Sequence, residues 1–158
     1  MLLVLVLLVA GPRPATRPEG SAAPSSSTCA LPVDAEVSDG FRPPAEPWLP
    51  GNRGLTFATT PGRQVLAVTP GVVRFAGPIA GQWYVTVRRD DGRDVTYSFL
   101  SSVDVAVGDV VAEGDPLGRT GPVAFQLGYR DGTTYLDPTE LVVDACGLHH
   151  AVLVPVPE

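Results

Sequence analysis

Leu66-Ala67-Val68-Thr69-Pro70-Gly71-Val72-Val73-Arg74-Phe75-Ala76-Gly77 is the stretch whose reading decides the fold. Two short runs of apolar and β-branched residues flank Pro70-Gly71, with no helical spacing. Such a pattern reads as strand, turn, strand. The same punctuation continues in both directions. Strands are expected over residues 54–58, 64–68, 71–76, 83–88, 94–99, 110–112, 124–129 and 134–136. Asp91-Gly92 lies between two alternating runs and marks a hairpin, because Gly takes the positive φ that such a turn needs. Pro61-Gly62, Gly108-Asp109, Gly114-Asp115 and Asp131-Gly132 separate the other runs. A short helix is expected over 139–143, after Asp137-Pro138. The class is therefore all-β, and the expected architecture is one antiparallel β-sheet or sandwich domain.

Composition narrows the function. The net charge is −6, and all eleven basic residues are Arg. An acidic chain without clustered positive charge lacks the footprint that displaces counterions from nucleic acid, so no nucleic-acid partner is expected. Residues 1–11 (MLLVLVLLVAG) are almost wholly apolar. They are shorter than the ~20 residues of a membrane-spanning helix and fit a signal-peptide core. No basic residue precedes them, and a buried strand or helix is the alternative. Residues 12–28, rich in Pro, Ser and Ala, read as a flexible linker. The domain is expected over 29–150, with a Pro-broken tail at 151–158. A secreted or extracytoplasmic chain follows, membrane-tethered if the apolar segment stays uncleaved. Cys29 and Cys146 stand at the two ends of the expected domain. In an exported protein they are expected to form a disulfide; two free thiols are the alternative. Ser26-Ser27-Thr28 before Cys29 lacks the residues of a lipobox.

Four motifs in order carry a resemblance. The opening stretch matches A-x-x-x-G-x-V-x-x-A-G. Asp91-Gly92 followed by Val95-Thr96-Tyr97 resembles D-G-x-x-T-Y, with one residue more between the Gly and the Thr. Residues 107–118, VGDVVAEGDPLG, resemble V-x-x-G-D-x-V-x-x-G-x-x-[IL]-G from its G-D onward, and Tyr135-Leu136-Asp137-Pro138 matches a closing Y-[VL]-D-P. Over about residues 47–142 the chain resembles the lysostaphin/LytM-like peptidoglycan metallopeptidases, zinc endopeptidases that cut the peptide cross-links of bacterial cell wall. The resemblance implies their duplicated-hybrid-motif fold, a barrel-sandwich-like arrangement.

The resemblance also implies where a catalytic site would lie. The family binds zinc through an early H-x-x-x-D and the second His of a late H-x-H. The early motif falls on Asn52-Arg53-Gly54-Leu55-Thr56, so that Asn52 stands at the His position and Thr56 at the Asp position. The late motif falls on Ala124-Phe125-Gln126, with Ala124 and Gln126 in place of the two histidines. The family's remaining His falls on Phe99. Neutral amides and a hydroxyl lack the imidazole or anionic donors that Zn²⁺ prefers. The expectation is a degenerate member: zinc lost, no cofactor, no metal site and no catalytic residues. Without the metal, no bound water has its pKa lowered toward ~7.

Other chemistry is sparse. The two histidines are the adjacent His149-His150, outside the family's motif and read as a solvated tail. Asp90-Asp91-Arg93-Asp94 reads as a solvated hairpin turn. Ser101-Ser102 has no base nearby. Residues 108–118 are similar to biotinyl and lipoyl carrier domains, but those need an acceptor Lys and the chain has none. The expected function is a non-catalytic binding or regulatory module of the cell envelope, with peptidoglycan or a cell-wall hydrolase as partner. The alternative is a residual cell-wall metalloendopeptidase with an unrecognised site. Asn52, Thr56, Phe99 and Gln126 would line the retained groove, or Phe99 would fill it. Alternation along the strand turns Phe125 away from Gln126.

Overall fold

The Pro70-Gly71 turn and the Asp91-Gly92 hairpin organise the centre of a computed structural model that describes residues 31–46 and 48–146 (backbone only for 143–146). Three long antiparallel strands follow from them: β4 (Gly71–Ile79), β5 (Gln82–Arg88) and β6 (Asp94–Val103). Gly92 adopts φ 84°, the left-handed conformation expected of it. Around this meander lie β1 (Val37–Asp39), β2 (Gly54–Phe57), β3 (Gln64–Leu66), β7 (Val110–Val111), β8 (Pro116–Thr120), β9 (Phe125–Asp131) and β10 (Thr134–Leu136). The main path runs β1-β2-β9-β6-β5-β4-β7, with β10 on β9 and β8 bridging β6 to β3. Every pairing is antiparallel. The all-β, single-domain expectation holds.

The strands expected from sequence are present, with ends moved by up to four residues. Two strands were not expected. β1 carries Val37-Ser38-Asp39, with no apolar alternation to announce it. β8 reads Pro-Leu-Gly-Arg-Thr, and its Pro and Gly argue against a strand. Gly118 is needed there because a Cβ would come 2.2 Å from the Ser102 carbonyl oxygen. The helix α1 (Thr139–Cys146) is longer than expected. Asp137 caps it, its Oδ1 accepting from the Thr139 N–H at 2.9 Å, and Pro138 starts the first turn. Residues 1–30, the tail at 151–158 and His149-His150 lie outside the described residues, as do Cys29 and the Cys146 side chain.

Alternation sends one face of the central strands inward. Val85, Val87, Val95, Tyr97, Leu127 and Tyr129 are buried with Leu55, Phe57 and Phe125. Phe125 does point away from Gln126, into the core. The Tyr97 hydroxyl accepts from the Val68 N–H at 2.9 Å, and burial raises its pKa well above the ordinary phenol value. At Phe99 strand β6 changes partner. Before it, β6 pairs β9 from Asp94 to Ser98; after it, β6 pairs β8 from Leu100. Phe99 is the extra residue of a bulge opposite Trp83 and Tyr84, with φ 67°. A bulge bends and twists its strand, which turns the chain from one layer into the next.

Candidate functional site: a closed polar network beside an open groove

The outward face of the same strands is arranged in cross-strand rows. One row runs Gly77, Tyr84, Ser98, Gln126, Thr56. The next is made of small residues: Thr86, Thr96, Gly128, Gly54. A third runs Arg88, Asp94, Arg130, Tyr135. Thr86, Thr96 and Gly128 of the small row form the floor of a groove of ≈ 360 Å³. Phe75, Ile79 and Tyr84 form its apolar end; Gln126, Arg130, Arg53 and Tyr135 line the other.

The two glycines of the small row differ. A Cβ on Gly54 would lie 2.3 Å from the Leu127 carbonyl oxygen, so packing requires glycine there. A Cβ on Gly128 would meet nothing closer than Thr96 at 3.8 Å. The protein backbone has room for a side chain at Gly128, and its absence leaves the floor low.

Asn52, Thr56 and Gln126 come together as the sequence register implied, since Thr56 is the cross-strand partner of Gln126. They form one hydrogen-bonded network. Gln126 Nε2 donates to Asn52 Oδ1 at 2.8 Å. Asn52 Oδ1 also accepts from the Gly54 N–H at 3.3 Å. Asn52 Nδ2 donates to Thr56 Oγ1 at 3.2 Å and to the Asp39 carbonyl at 3.1 Å. The amide thus uses both its donors and both acceptor sites. The Gly54 N–H and the Asp39 carbonyl fix which end is oxygen. Asn52 is 5% exposed, and its backbone is clamped to Arg42 by two 2.9 Å hydrogen bonds. This clamp comes from the segment containing β1, which sequence reading missed.

The remaining expected positions lie apart from this network. Ala124 is half-buried, one residue before β9. Phe99 is half-buried, its ring edge-on to Tyr84 at 5.7 Å between centroids. Tyr84, rather than Phe99, lines the groove. Asn52 and Thr56 stand behind Gln126, the one member of the network among the lining residues. Chemically the three offer Zn²⁺ only neutral amide and hydroxyl oxygens, with no imidazole or carboxylate, and Asn52 Oδ1 and Thr56 Oγ1 already accept hydrogen bonds within the network. Among the described residues no three His, Cys, Asp or Glu side chains cluster as metal ligands.

The charged row was the signal that sequence reading mistook. Asp94, assigned there to a solvated turn, has a side chain only 15% exposed. Arg88 grips it with two donors, Nη2 reaching Oδ2 at 2.7 Å while Nε reaches Oδ1. The hydrogen bonds from Arg88, with the nearby charges of Arg74 and Arg130, hold the Asp94 carboxyl below the usual range despite its partial burial. Asp94 in turn raises the Arg88 guanidinium. Asp90 and Asp91 are exposed, as expected of a turn. Ser101 is structural, donating to the Thr120 carbonyl at 2.9 Å.

Known proteins share this architecture. The chain is similar to the catalytic domain of lysostaphin from Staphylococcus simulans, an antimicrobial peptidase. Identity is 23%, with 68% of this chain and 92% of that one covered and a TM-score of 0.59. It is similar to a mutant catalytic domain of the prophage-encoded protein EnpA from Enterococcus faecalis. There identity is 19%, coverage 67% and 90%, and the TM-score 0.59. A crystal structure described as a putative peptidase from Pseudomonas aeruginosa is 27% identical. It is covered over 51% of its length by 73% of this chain, with a TM-score of 0.58. No curated protein matches. The family model of peptidase family M23 matches residues 50–130, which hold β2 through most of β9 and the whole Asn52–Thr56–Gln126 network. The chain is a member of peptidase family M23.

Proposed function

We propose that this member of a family of cell-wall hydrolases binds without cutting, as a wall-binding or hydrolase-regulating module of the bacterial envelope. The observation that carries the reading is the hydrogen-bonded network of Asn52, Thr56 and Gln126, in which the Asn52 amide is saturated. These are the positions where the family resemblance calls for two histidines and a carboxylate. To bind zinc, the chain would have to break amide–amide and amide–hydroxyl hydrogen bonds and offer weaker neutral donors in exchange. None of the three positions carries a histidine; the two in the sequence, His149 and His150, stand outside the family's motif and outside the described residues. The open groove supports retention of a ligand surface, since its volume lies within the ~300–1,000 Å³ of small-ligand clefts.

The test is zinc content together with activity on full-length protein. Elemental analysis is expected to give far less than one zinc per chain, and peptidoglycan digests should show no new peptide ends. Stoichiometric zinc retained after mutating His149 and His150, or cleavage abolished by a chelator, would instead establish a residual metalloendopeptidase. Co-sedimentation with purified wall sacculi is the positive arm.

A further inference from the structure

We infer that the groove recognises a carboxylate of an extended wall peptide, with Arg130 as the principal grip. This rests on the binding role proposed above and adds the chemistry of the ligand. The chain is acidic overall, yet one rim of the groove reverses that sign. Three guanidiniums, Arg74, Arg88 and Arg130, act on the single carboxylate of Asp94. That carboxylate is already taken by both donors of Arg88. Arg130 is its cross-strand neighbour but forms no ion pair with it, and it is exposed with its side chain lining the groove. Its fork of N–H donors is therefore available, and a carboxylate is the planar acceptor that such a fork accommodates. Arg53 adds a second positive charge to the same rim, its guanidinium stacked 5.6 Å over the Tyr135 ring.

The rest of the groove fits an extended chain. Its floor of Thr86, Thr96 and Gly128 crosses adjacent strands at ~4.8 Å each, and Phe75 continues the row on β4. That row of about 14 Å matches roughly four residues of extended peptide at ~3.3 Å per residue. Gly128 has room for a side chain that the sequence does not supply, so the channel stays open between its walls. At the far end Phe75 and Ile79 are 37% and 52% exposed, an apolar end for small side chains. One ligand chemistry satisfies both ends: a short peptide with apolar side chains and a carboxylate some residues away.

The probe is purified sacculi stripped of phosphate polymers with hydrofluoric acid. Half are left native, and half have their carboxyl groups converted to amides with carbodiimide and ammonia. Wild type should sediment with native sacculi and bind amidated sacculi about tenfold more weakly. Arg130→Gln should bind native sacculi about tenfold more weakly than wild type and respond little to amidation. Arg119→Gln changes charge equally on a strand outside the groove and should behave as wild type. Sedimentation that neither amidation nor Arg130→Gln reduces would overturn the carboxylate grip and leave wall binding intact. An equal loss with Arg119→Gln would show nonspecific attraction and overturn it as well. No sedimentation of wild type with either native or unstripped sacculi would remove the wall-binding reading and the grip with it. Binding confined to unstripped sacculi would assign the anion to phosphate and also overturn the proposal.

Discussion

The two ends of the groove's polar wall solve opposite problems. At one end the Asn52 amide uses every donor and acceptor within the protein: amide to amide, amide to hydroxyl, amide to backbone. Four residues further along β9, from Gln126 to Arg130, the arrangement is left unfinished. Arg88 satisfies Asp94, and Arg130 stands beside the pair with its donors turned to the groove. A saturated amide in a buried place, as at Asn52, contributes rigidity and has nothing to offer a ligand. An exposed cation beside a carboxylate already engaged contributes little to stability and keeps its capacity to bind. The contrast predicts that substitutions at the first end damage folding and that substitutions at the second damage binding.

The largest effect is expected from Asn52→Ala. It removes one amide and strands four partners: the Asp39 carbonyl, the Gly54 N–H, the Thr56 hydroxyl and the Gln126 amide. Leaving buried polar groups unpaired costs about 1–3 kcal/mol each, though water reaching the half-buried Gln126 will recover part. A loss of about 2–4 kcal/mol is expected, read as a lower urea midpoint at unchanged slope. A loss below about 1 kcal/mol would mean that the network is dispensable. The contrast between the two ends would then collapse.

A smaller effect, and one that depends on pH, is expected at the Arg88–Asp94 pair. Arg88 lowers the Asp94 pKa in the folded chain. A group whose folded pKa is depressed stabilises fully above its unfolded value, near ~3.9, and loses that contribution as pH falls through the folded pKa. The melting-temperature gap between wild type and Asp94→Asn should therefore be constant from about pH 7 to pH 5 and narrow toward pH 2. A gap that widens on acidification would contradict the assignment.

How far the sequence exposed these features depends on what each rests on. The meander β4–β5–β6 was legible because alternation and Pro-Gly or Asp-Gly turns are local. The network's three side chains were legible as a set through motif register, and the β2–β9 pairing brings Thr56 opposite Gln126. Their mutual bonding was not, because it depends on the Asp39 carbonyl of β1, a three-residue strand without apolar signal. Asp94 was misread because Asp90 and Asp91 beside it are true turn residues. The strand was expected to begin at Asp94, but only the strand register shows that Asp94 faces Arg88 and Arg130. Arg130 itself carries no local pattern, and its position on the groove emerges only when β5, β6, β9 and β10 are assembled.

The smallest expected effect lies at Phe99, which belongs to neither end and therefore tests whether the groove's walls are independent of the bend that shapes them. Its backbone sits at φ 67°, where a side chain with a Cβ is disfavoured by roughly 1–2 kcal/mol and glycine is not. Phe99→Gly relieves that strain. It also removes the edge-on contact with Tyr84, worth about 0.5–1.5 kcal/mol, and some burial of a half-exposed ring. The unfolded chain gains freedom with glycine, which costs roughly 0.4–1 kcal/mol. These contributions oppose one another, so stability is expected to fall by less than about 2 kcal/mol, a smaller change than for Asn52→Ala. Because the bulge is held by the Gly121 N–H donating to the Phe99 carbonyl at 3.0 Å, the bend itself should survive. Tyr84 loses its backing ring, so weaker wall binding with near-normal stability would mark Phe99 as a support for the apolar end of the groove. A loss of several kcal/mol would instead place the bulge at the centre of folding, with the Phe99 ring fixing the point where β6 changes partners.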